Sequence, residues 1–382
     1  MNRVVLVRSN PVNPNPAVER IASVLAKENW DVTVIGWDRN GEYDSCEDVL
    51  KLGDKTARII RFGIPAVFSG GIKKNLIPLI KFEKKLAEWF YNHKNEYDAI
   101  HAFDFDTGFV AKCAAKRYKK GLVYQIQDFY AADRFAEGSL GYNLIKSMEF
   151  SVMNNADASI ICTEARKRQV EGSRPKILEV VHNTPGYSKV AENVEFKVSQ
   201  DKVKIAYVGC FEPHRFLKEI LDIVMNDSRI ELHIGGFGIY ENYVRECSEK
   251  CDRIIFYGKL AYDKVLALEE KCDIISALYD PMIANNRFAA PNKLYESMML
   301  SKPVIMCENT GWDEVILSNE IGVIAKPSED GIKQALEKLI QMKSSWGDMG
   351  KRSHELYRTS YSWDIMRDRV KNLYLKLYGG EK

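Results

Sequence analysis

Short apolar runs alternate with helix-length amphipathic stretches along almost the whole chain, and this alternation restricts the fold more than any single motif does. VVLVRS (from Val4) leads into AVERIASVLAKE and then DVTVIGW (from Asp31). AIHAF (from Ala99) leads into TGFVAKCAAKRY and LVYQIQD (from Leu122), and ASIICT (from Ala158) and ILEVVHN (from Ile177) close this half. Such alternation predicts a parallel sheet whose strands are covered on both faces by crossover helices. The rhythm stops in a polar, charge-rich stretch, Tyr187 to Lys202, which reads as a linker. It restarts with VKIAYVG (from Val203), IELHIGG (from Ile230), RIIFYG (from Arg253), DIISAL (from Asp273), PVIMCEN (from Pro303) and IGVIAKP (from Ile321), and ends in a long helix, SWDIMRDRVKNLYLKLY. At 382 residues the chain suits two domains rather than one core. The predicted fold is α/β, two doubly wound Rossmann-like domains facing across a cleft, in which ligands bind at the carboxyl ends of the strands.

Composition narrows the partners. A formal net charge of +2 implies no polyanion such as nucleic acid. No apolar run approaches the roughly 20 residues that span a bilayer, and MNRVVLVRSN enters a strand without a signal-peptide layout, so a cytoplasmic location is expected. The eight cysteines lack CxxC spacing, which fits a reducing compartment. Cys247 and Cys251 stand four apart on a helical stretch, but no neighbouring His or second Cys pair completes a zinc site, and no metal is expected.

One stretch carries chemistry at its front: PNKLYESMM, Pro291 to Met299. Pro291 suits the first helical position. Free N–H groups and the positive dipole end at a helix start attract phosphate, and Lys293 adds a full charge. Glu296, three residues on, shares a face with Lys293. A cation for phosphate and a carboxylate for a sugar diol would both point at one nucleotide, with Asn292 beside them; a surface Lys–Glu pair has the same spacing.

The segment NKLYESMMLSKPVI resembles the nucleotide-sugar site of GT-B fold glycosyltransferases, particularly the family 4-type retaining enzymes, whose pattern is roughly N-K-x-x-E-x-M-x-x-G-x-P-V-I. The resemblance runs along nearly the whole chain. YDAIHAFDFDTG is similar to "D-V-I-H-A-H-D", LVYQIQDFY to "Y-D-x-H-E", ADASIICTEARKRQV to "A-D-x-V-I-x-V-S-E", VVHNTP to "V-I-x-N" and AYVGCFEPHRF to the "V-G-R-L-x-x-x-K-G" loop. It implies a domain 1–186, a linker 187–202, a nucleotide-sugar domain 203–360, and a closing helix, 361–382, that crosses back onto the first domain. It implies that Glu296 holds the ribose hydroxyls and that Arg215, in the place of the loop cation, clamps the pyrophosphate with Lys293; a solvated loop arginine is the alternative. It further implies transfer of a sugar from a nucleotide diphosphate donor to a glycan or lipid-linked acceptor, with retention of configuration and without metal.

The departures are specific. Phe288 stands eight before Glu296, where the family often has a second glutamate. Cys210 replaces the loop arginine, Phe216 the loop glycine, and Gln127 the histidine of "H-E" near the reacting sugar. Asp128, next door, could orient the sugar, act as an auxiliary base, or cap the helix that follows. His101 and Asp104 end a strand on the cleft side, where His101 is expected to address the sugar or to be a core histidine. Asp104-x-Asp106 matches a metal-binding pattern of the other large glycosyltransferase fold, which does not restart halfway along the chain; Asp106 could equally cap a helix. Gly235 and Gly236, in GGFGIY, would let the backbone approach a nucleotide, or would simply turn a strand into a helix; GGFGIY is not the dinucleotide fingerprint. The basic stretch from Gly70, with Lys73, Lys74, Lys81, Lys84 and Lys85 flanking Leu76, Ile77, Ile80, Trp89 and Phe90, could lie on an anionic membrane or pack as an ordinary helix. In the family the equivalent region often faces lipid-linked acceptors. Two rivals use the same fold: a non-catalytic subunit that partners an active transferase, favoured by Phe288, Cys210 and Gln127, and a nucleotide-sugar 2-epimerase, which needs more acid/base groups than this chain has.

Overall fold

The computed structural model describes residues 2–12, 15–67, 71–186, 196 and 198–379. The chain divides into two compact units, Met1–His182 with Arg367–Lys382, and Asn183–Met366. Most of the expected linker, 187–195 and 197, lies outside the described residues.

The first unit is built on strands β1 (Arg3–Arg8), β2 (Asp31–Asp38), β3 (Asp44–Leu52), β4 (Lys55–Gly63), β5 (Ala99–Phe103), β6 (Gly121–Ile126), β7 (Ala158–Ile161) and β8 (Leu178–Val180). They form one sheet in the order β3-β4-β2-β1-β5-β6-β7-β8. Every pairing is parallel except β3 with β4. The sequence reading passes over this antiparallel hairpin, whose turn uses Gly53 at φ 72°. Helices α1 (Pro16–Lys27), α2 (Gly71–Asn92), α3 (Asp104–Tyr118), α4 (Tyr130–Arg134), α5 (Leu140–Asn155) and α6 (Arg166–Gln169) complete this part of the chain. The central strands are mostly apolar because both faces are covered; Val4, Val5, Leu6 and Val7 of β1 are all buried.

The second unit contains β9 (Val203–Cys210), β10 (Ile230–Phe237), β11 (Ile254–Phe256), β12 (Ile274–Ala277), β13 (Val304–Cys307) and β14 (Gly322–Ala325), in the all-parallel order β11-β10-β9-β12-β13-β14. Its helices are α7 (Leu217–Asn226), α8 (Glu241–Lys250), α9 (Tyr262–Lys271), α10 (Asn292–Met299), α11 (Asp313–Ser318), α12 (Glu329–Gln341) and α13 (Trp346–Leu356). The strand order reverses between β9 and β12, as it does between β1 and β5 in the first sheet. Such switch points leave a crevice at the carboxyl edge, which is where ligands bind in open α/β sheets.

The closing helix α14 (Trp363–Tyr378) carries its later part into the first unit. There Tyr374 and Tyr378 meet Trp30 edge-on, with ring centroids 5.3 and 5.6 Å away, and the Arg369 guanidinium donates to the Val180 carbonyl at 2.7 Å. In α2, Trp89 and Phe90 are buried in the core, while Leu76, Ile77 and Ile80 in its first half and Tyr91 in its last turn are exposed.

Candidate functional site

In the second unit the expected donor residues converge at the switch point. Pro291 is not the first helical residue but the N-cap of α10, at ψ 124°, with no side-chain cap bond. Lys293 and Glu296 are both buried. The Lys293 ammonium sits 5.1 Å from the centroid of Tyr207, in β9, and 5.8 Å from that of Tyr279, just beyond β12. Arg215 lies over the same Tyr279 ring at 3.8 Å and donates to Asn286 Oδ1 at 3.4 Å. Neither cation has a carboxylate ion pair among the described residues. Aromatic faces hold both cations in place without consuming their N–H donors, and, apart from the Arg215 bond to Asn286, these stay available to an anion.

Glu296 accepts a hydrogen bond from the Tyr262 hydroxyl at 3.0 Å. Behind it Glu269, on the same helix as Tyr262, is wholly buried and neither of its oxygens has a partner. Burial pushes the Glu269 carboxyl well above the usual range, Glu296 adds to the push and Lys293 opposes it. Burial thus disfavours a further anion behind the pair. Asn292 is exposed and accepts from the Asn183 side chain at 3.1 Å.

The glycines here serve the protein's own backbone. Gly236 has φ +149°, and a Cβ on it would fall 1.8 Å from the Gly209 carbonyl oxygen. A Cβ on Gly209 would in turn meet the Lys293 ammonium at 2.8 Å. Gly235 meets Leu260. In the loop after β9, His214 (φ 65°) and Phe216 (φ 51°) both adopt the left-handed conformation. Phe216 occupies the position where the resembling loop has glycine, which takes that conformation without steric cost. The strain places Arg215 between two such residues.

In the first unit, Asp104 (φ 63°) turns the chain from β5 into α3. Its carboxylate accepts from the backbone N–H groups of Gln127 and Asp128 at 2.8 and 3.2 Å and pairs with Arg8 at 3.3 Å. Burial pushes Asp104 up to about 6, with Arg8 pulling the other way. Arg166, fully buried, donates to the Gln127 carbonyl at 2.8 Å, to Cys162 Sγ at 2.9 Å and to Gln169 at 2.6 Å, and stands 3.7 Å from Asp128. Asp104 and Arg166 thus pin the Gln127–Asp128 backbone from two sides, leaving the Asp128 carboxylate exposed. Asp128 does not cap a helix; Phe129 holds that position, without a side-chain bond. Asp106 lies in the first turn of α3, where it accepts from the Ser9 hydroxyl and the Thr107 N–H.

His101 requires a correction. It is completely buried, with one ring nitrogen 2.8 Å from the Tyr374 hydroxyl and the other 2.9 Å from Gln125 Oε1. Burial lowers its pKa to about 4, so it is a neutral core histidine with both nitrogens engaged and does not address a sugar. The pattern that suggested otherwise, His near a strand's end, does not distinguish the inward from the outward face. Sequence reasoning also missed Arg8, Arg166, Tyr207, Tyr262 and Tyr279. Arg8 had a signal, since it ends the first strand at the switch point; the tyrosines read as core. Among the described residues no cluster of three or more His, Cys, Asp or Glu is placed to hold a metal ion, and Cys247 and Cys251 are free thiols.

Comparison with solved structures shows the GT-B fold of two Rossmann-like domains. Sucrose-phosphate synthase from Thermosynechococcus elongatus superimposes with a TM-score of 0.80 at 15% identity, covering 100% of both chains. An E. coli structure titled trehalose-6-phosphate bound with UDP-2-fluoro glucose gives a TM-score of 0.73 at 11% identity, covering 97% of this chain and 99% of the other. Anabaena HepE in complex with UDP gives 0.67 at 13% identity, covering 98% and 100%. A comparison with curated proteins finds no match. Two family models between them span most of the sequence, the glycosyl transferase 4-like domain at residues 14–184 and glycosyl transferases group 1 at 202–342. The chain belongs to this glycosyltransferase family.

Proposed function

We propose that the protein transfers a hexose from a nucleotide diphosphate sugar to a glycan or lipid-linked acceptor, with retention and without a metal cofactor. The observation that carries this reading is the convergence of Lys293 and Arg215 on Tyr279 beside Glu296. Two cations without carboxylate ion pairs among the described residues stabilise negative charge building on the leaving diphosphate, the usual largest contribution to catalysis of group transfer. Glu296 takes the ribose hydroxyls, with Tyr262 fixing its orientation. In the first unit, Asp128 is the exposed carboxylate that orients the donor sugar. No protein base is required where the departing phosphate accepts the acceptor proton, which accommodates Gln127. The solved relatives that carry UDP, UDP-glucose or a fluorinated analogue support a nucleotide-sugar donor.

The test is calorimetry with a panel of nucleotide diphosphates, followed by donor turnover in excess EDTA. Glu296→Ala weakens nucleotide binding by about 0.5–3 kcal/mol, the worth of the lost hydrogen bonds, while the fold persists. Unchanged affinity in a folded variant, or activity lost on chelation and restored by manganese, contradicts the assignment. Silence with every donor and acceptor, despite tight nucleotide binding, supports the non-catalytic subunit instead.

Peripheral membrane contact through 72–92 is part of the same reading. Leu76, Ile77 and Ile80 are exposed on α2, next to the exposed Lys74, Lys81 and Lys84. Among the described residues no helix is long and apolar enough to cross a membrane. Sedimentation with anionic liposomes that is released by high salt supports contact, since the attraction is screened by ions; no sedimentation at low ionic strength rejects it.

A further inference from the structure

The first unit holds a cavity of about 320 Å³ that neither the donor residues nor the Gln127–Asp128 turn occupies. Its size falls at the lower end of the range for small-molecule sites, about 300–1,000 Å³. The walls are apolar side chains of α2, α3 and α5, among them Leu79, Phe109, Ile145 and Met148, closed on one side by Phe135. One end is polar and lies at the carboxyl edge of the sheet. There Asp106 stands in the first turn of α3, Arg39 follows β2, and Glu83 and Arg134 face them.

This polar end is mixed in sign and incompletely satisfied. Arg39 spends its terminal nitrogen on the Ser9 carbonyl at 3.1 Å and the Asn10 side chain at 3.3 Å, yet its Nε is buried without a partner. Burial pushes Glu83 up to about 7, with Asp106 adding to the push. Two carboxyls and two guanidinium groups offer acceptors and donors together, which suits hydroxyl groups better than a single charge. The apolar lining does not stop at the mouth. Leu76 and Ile80 line the cavity and are 49% and 53% exposed, Ile77 beside them is 68% exposed, and Leu140 and Leu144 on α5 are 90% and 62% exposed. A compact ring would leave this outer strip in water, whereas a chain longer than the cavity would cover it.

We propose that this cavity binds a single-chain amphiphile, with a hydroxylated head among Arg39, Glu83, Asp106 and Arg134 and an aliphatic chain running between α2, α3 and α5 and out over Leu76, Ile80 and Leu144. Its identification as the sugar acceptor rests on the transferase reading; the binding site itself does not.

The probe is a series of n-alkyl glucosides, hexyl to decyl, kept below their micellar concentrations and titrated by calorimetry into the full chain. Affinity rises by up to about fourfold per added methylene until the apolar strip is covered. Ile145→Trp and Met148→Trp, each filling the cavity from a half-buried position, lower octyl glucoside affinity at least about tenfold with thermal stability and nucleotide affinity unchanged. Glu296→Ala weakens nucleotide binding and keeps the glucoside. Affinity independent of chain length, or wild-type affinity in both folded tryptophan variants, overturns the site. Equal binding of octyl sulfate overturns the hydroxylated head. Glucosides that bind as expected but receive no sugar from any donor uphold the cavity and overturn its role as the acceptor site.

Discussion

The two switch points use charge in opposite ways. At the first, Asp104 pairs with Arg8, and the hydrogen bonds of Asp104 and Arg166 hold the Gln127–Asp128 backbone. At the second, Lys293 and Arg215 rest on tyrosine faces, and burial disfavours the ionised form of Glu269, the carboxyl behind Glu296. A charge paired inside the protein shapes a loop; a charge laid on an aromatic face keeps its donors for a ligand. The difference teaches that residue type alone does not separate a scaffold from a binding site, and that the partner of each charge does.

Breaking this contrast at the second site has the largest expected effect. On the transfer reading, Arg215→Ala lowers kcat by about 10²–10³-fold, the loss typical of removing one donor to developing negative charge. Stability, read by denaturant titration, hardly changes. Arg166→Ala inverts that pattern: it costs about 3 kcal/mol of stability, because a buried side chain and its bonds to Gln127, Cys162 and Gln169 disappear together, leaving a cavity and an orphan carbonyl. A stable Arg166→Ala, or an unstable Arg215→Ala, would erase the distinction.

Glu149 sharpens it. This acid lies behind the first site, wholly buried, with one oxygen accepting from Tyr124 at 2.9 Å and the other without a partner. Burial raises it to about 8. Its folded pKa exceeds the unfolded value, so between roughly pH 4.5 and pH 8 the native state binds the extra proton and stability falls as pH rises, by the order of a few kcal/mol. Glu149→Gln removes this slope in urea titrations at pH 5 and pH 9; an unchanged slope assigns the pH dependence elsewhere. The smallest effect belongs to Gln127→Ala. A general base contributes about 10²–10⁴-fold, and a side chain that only contacts the donor far less, so turnover within about tenfold of wild type is expected; loss beyond a hundredfold would make Gln127 part of the chemistry.

All six strands of the second sheet are legible as apolar runs, because strands covered on both faces carry few polar interruptions, here Lys204, Glu231, His233 and Ser276. The β3–β4 hairpin is not, since charged residues interrupt both of its strands, although Gly53-Asp54 marks the turn. Lys293 and Glu296 are legible because helical spacing puts residues i and i+3 on one face, and Arg215 because its loop resembles a known one. Their tyrosine supports are not, since a tyrosine in a strand reads as core whichever ring atom it offers.

What the sequence by itself determined is local: which segments become strands, that they run parallel through crossovers, and which short stretches carry an amide, a cation and a carboxylate together. Periodicity and turn chemistry act over a few residues and need no partner. Only the tertiary structure decided that Arg8 meets Asp104, that Arg166 grips the Gln127 carbonyl, that Lys293 and Arg215 share Tyr279, and that His101 faces inward. Those pairings join residues distant along the chain, so strand order creates them. Burial then sets their charge, making His101 neutral while leaving Asp128 in water, because the cost of an ion depends on the surroundings that the whole fold provides.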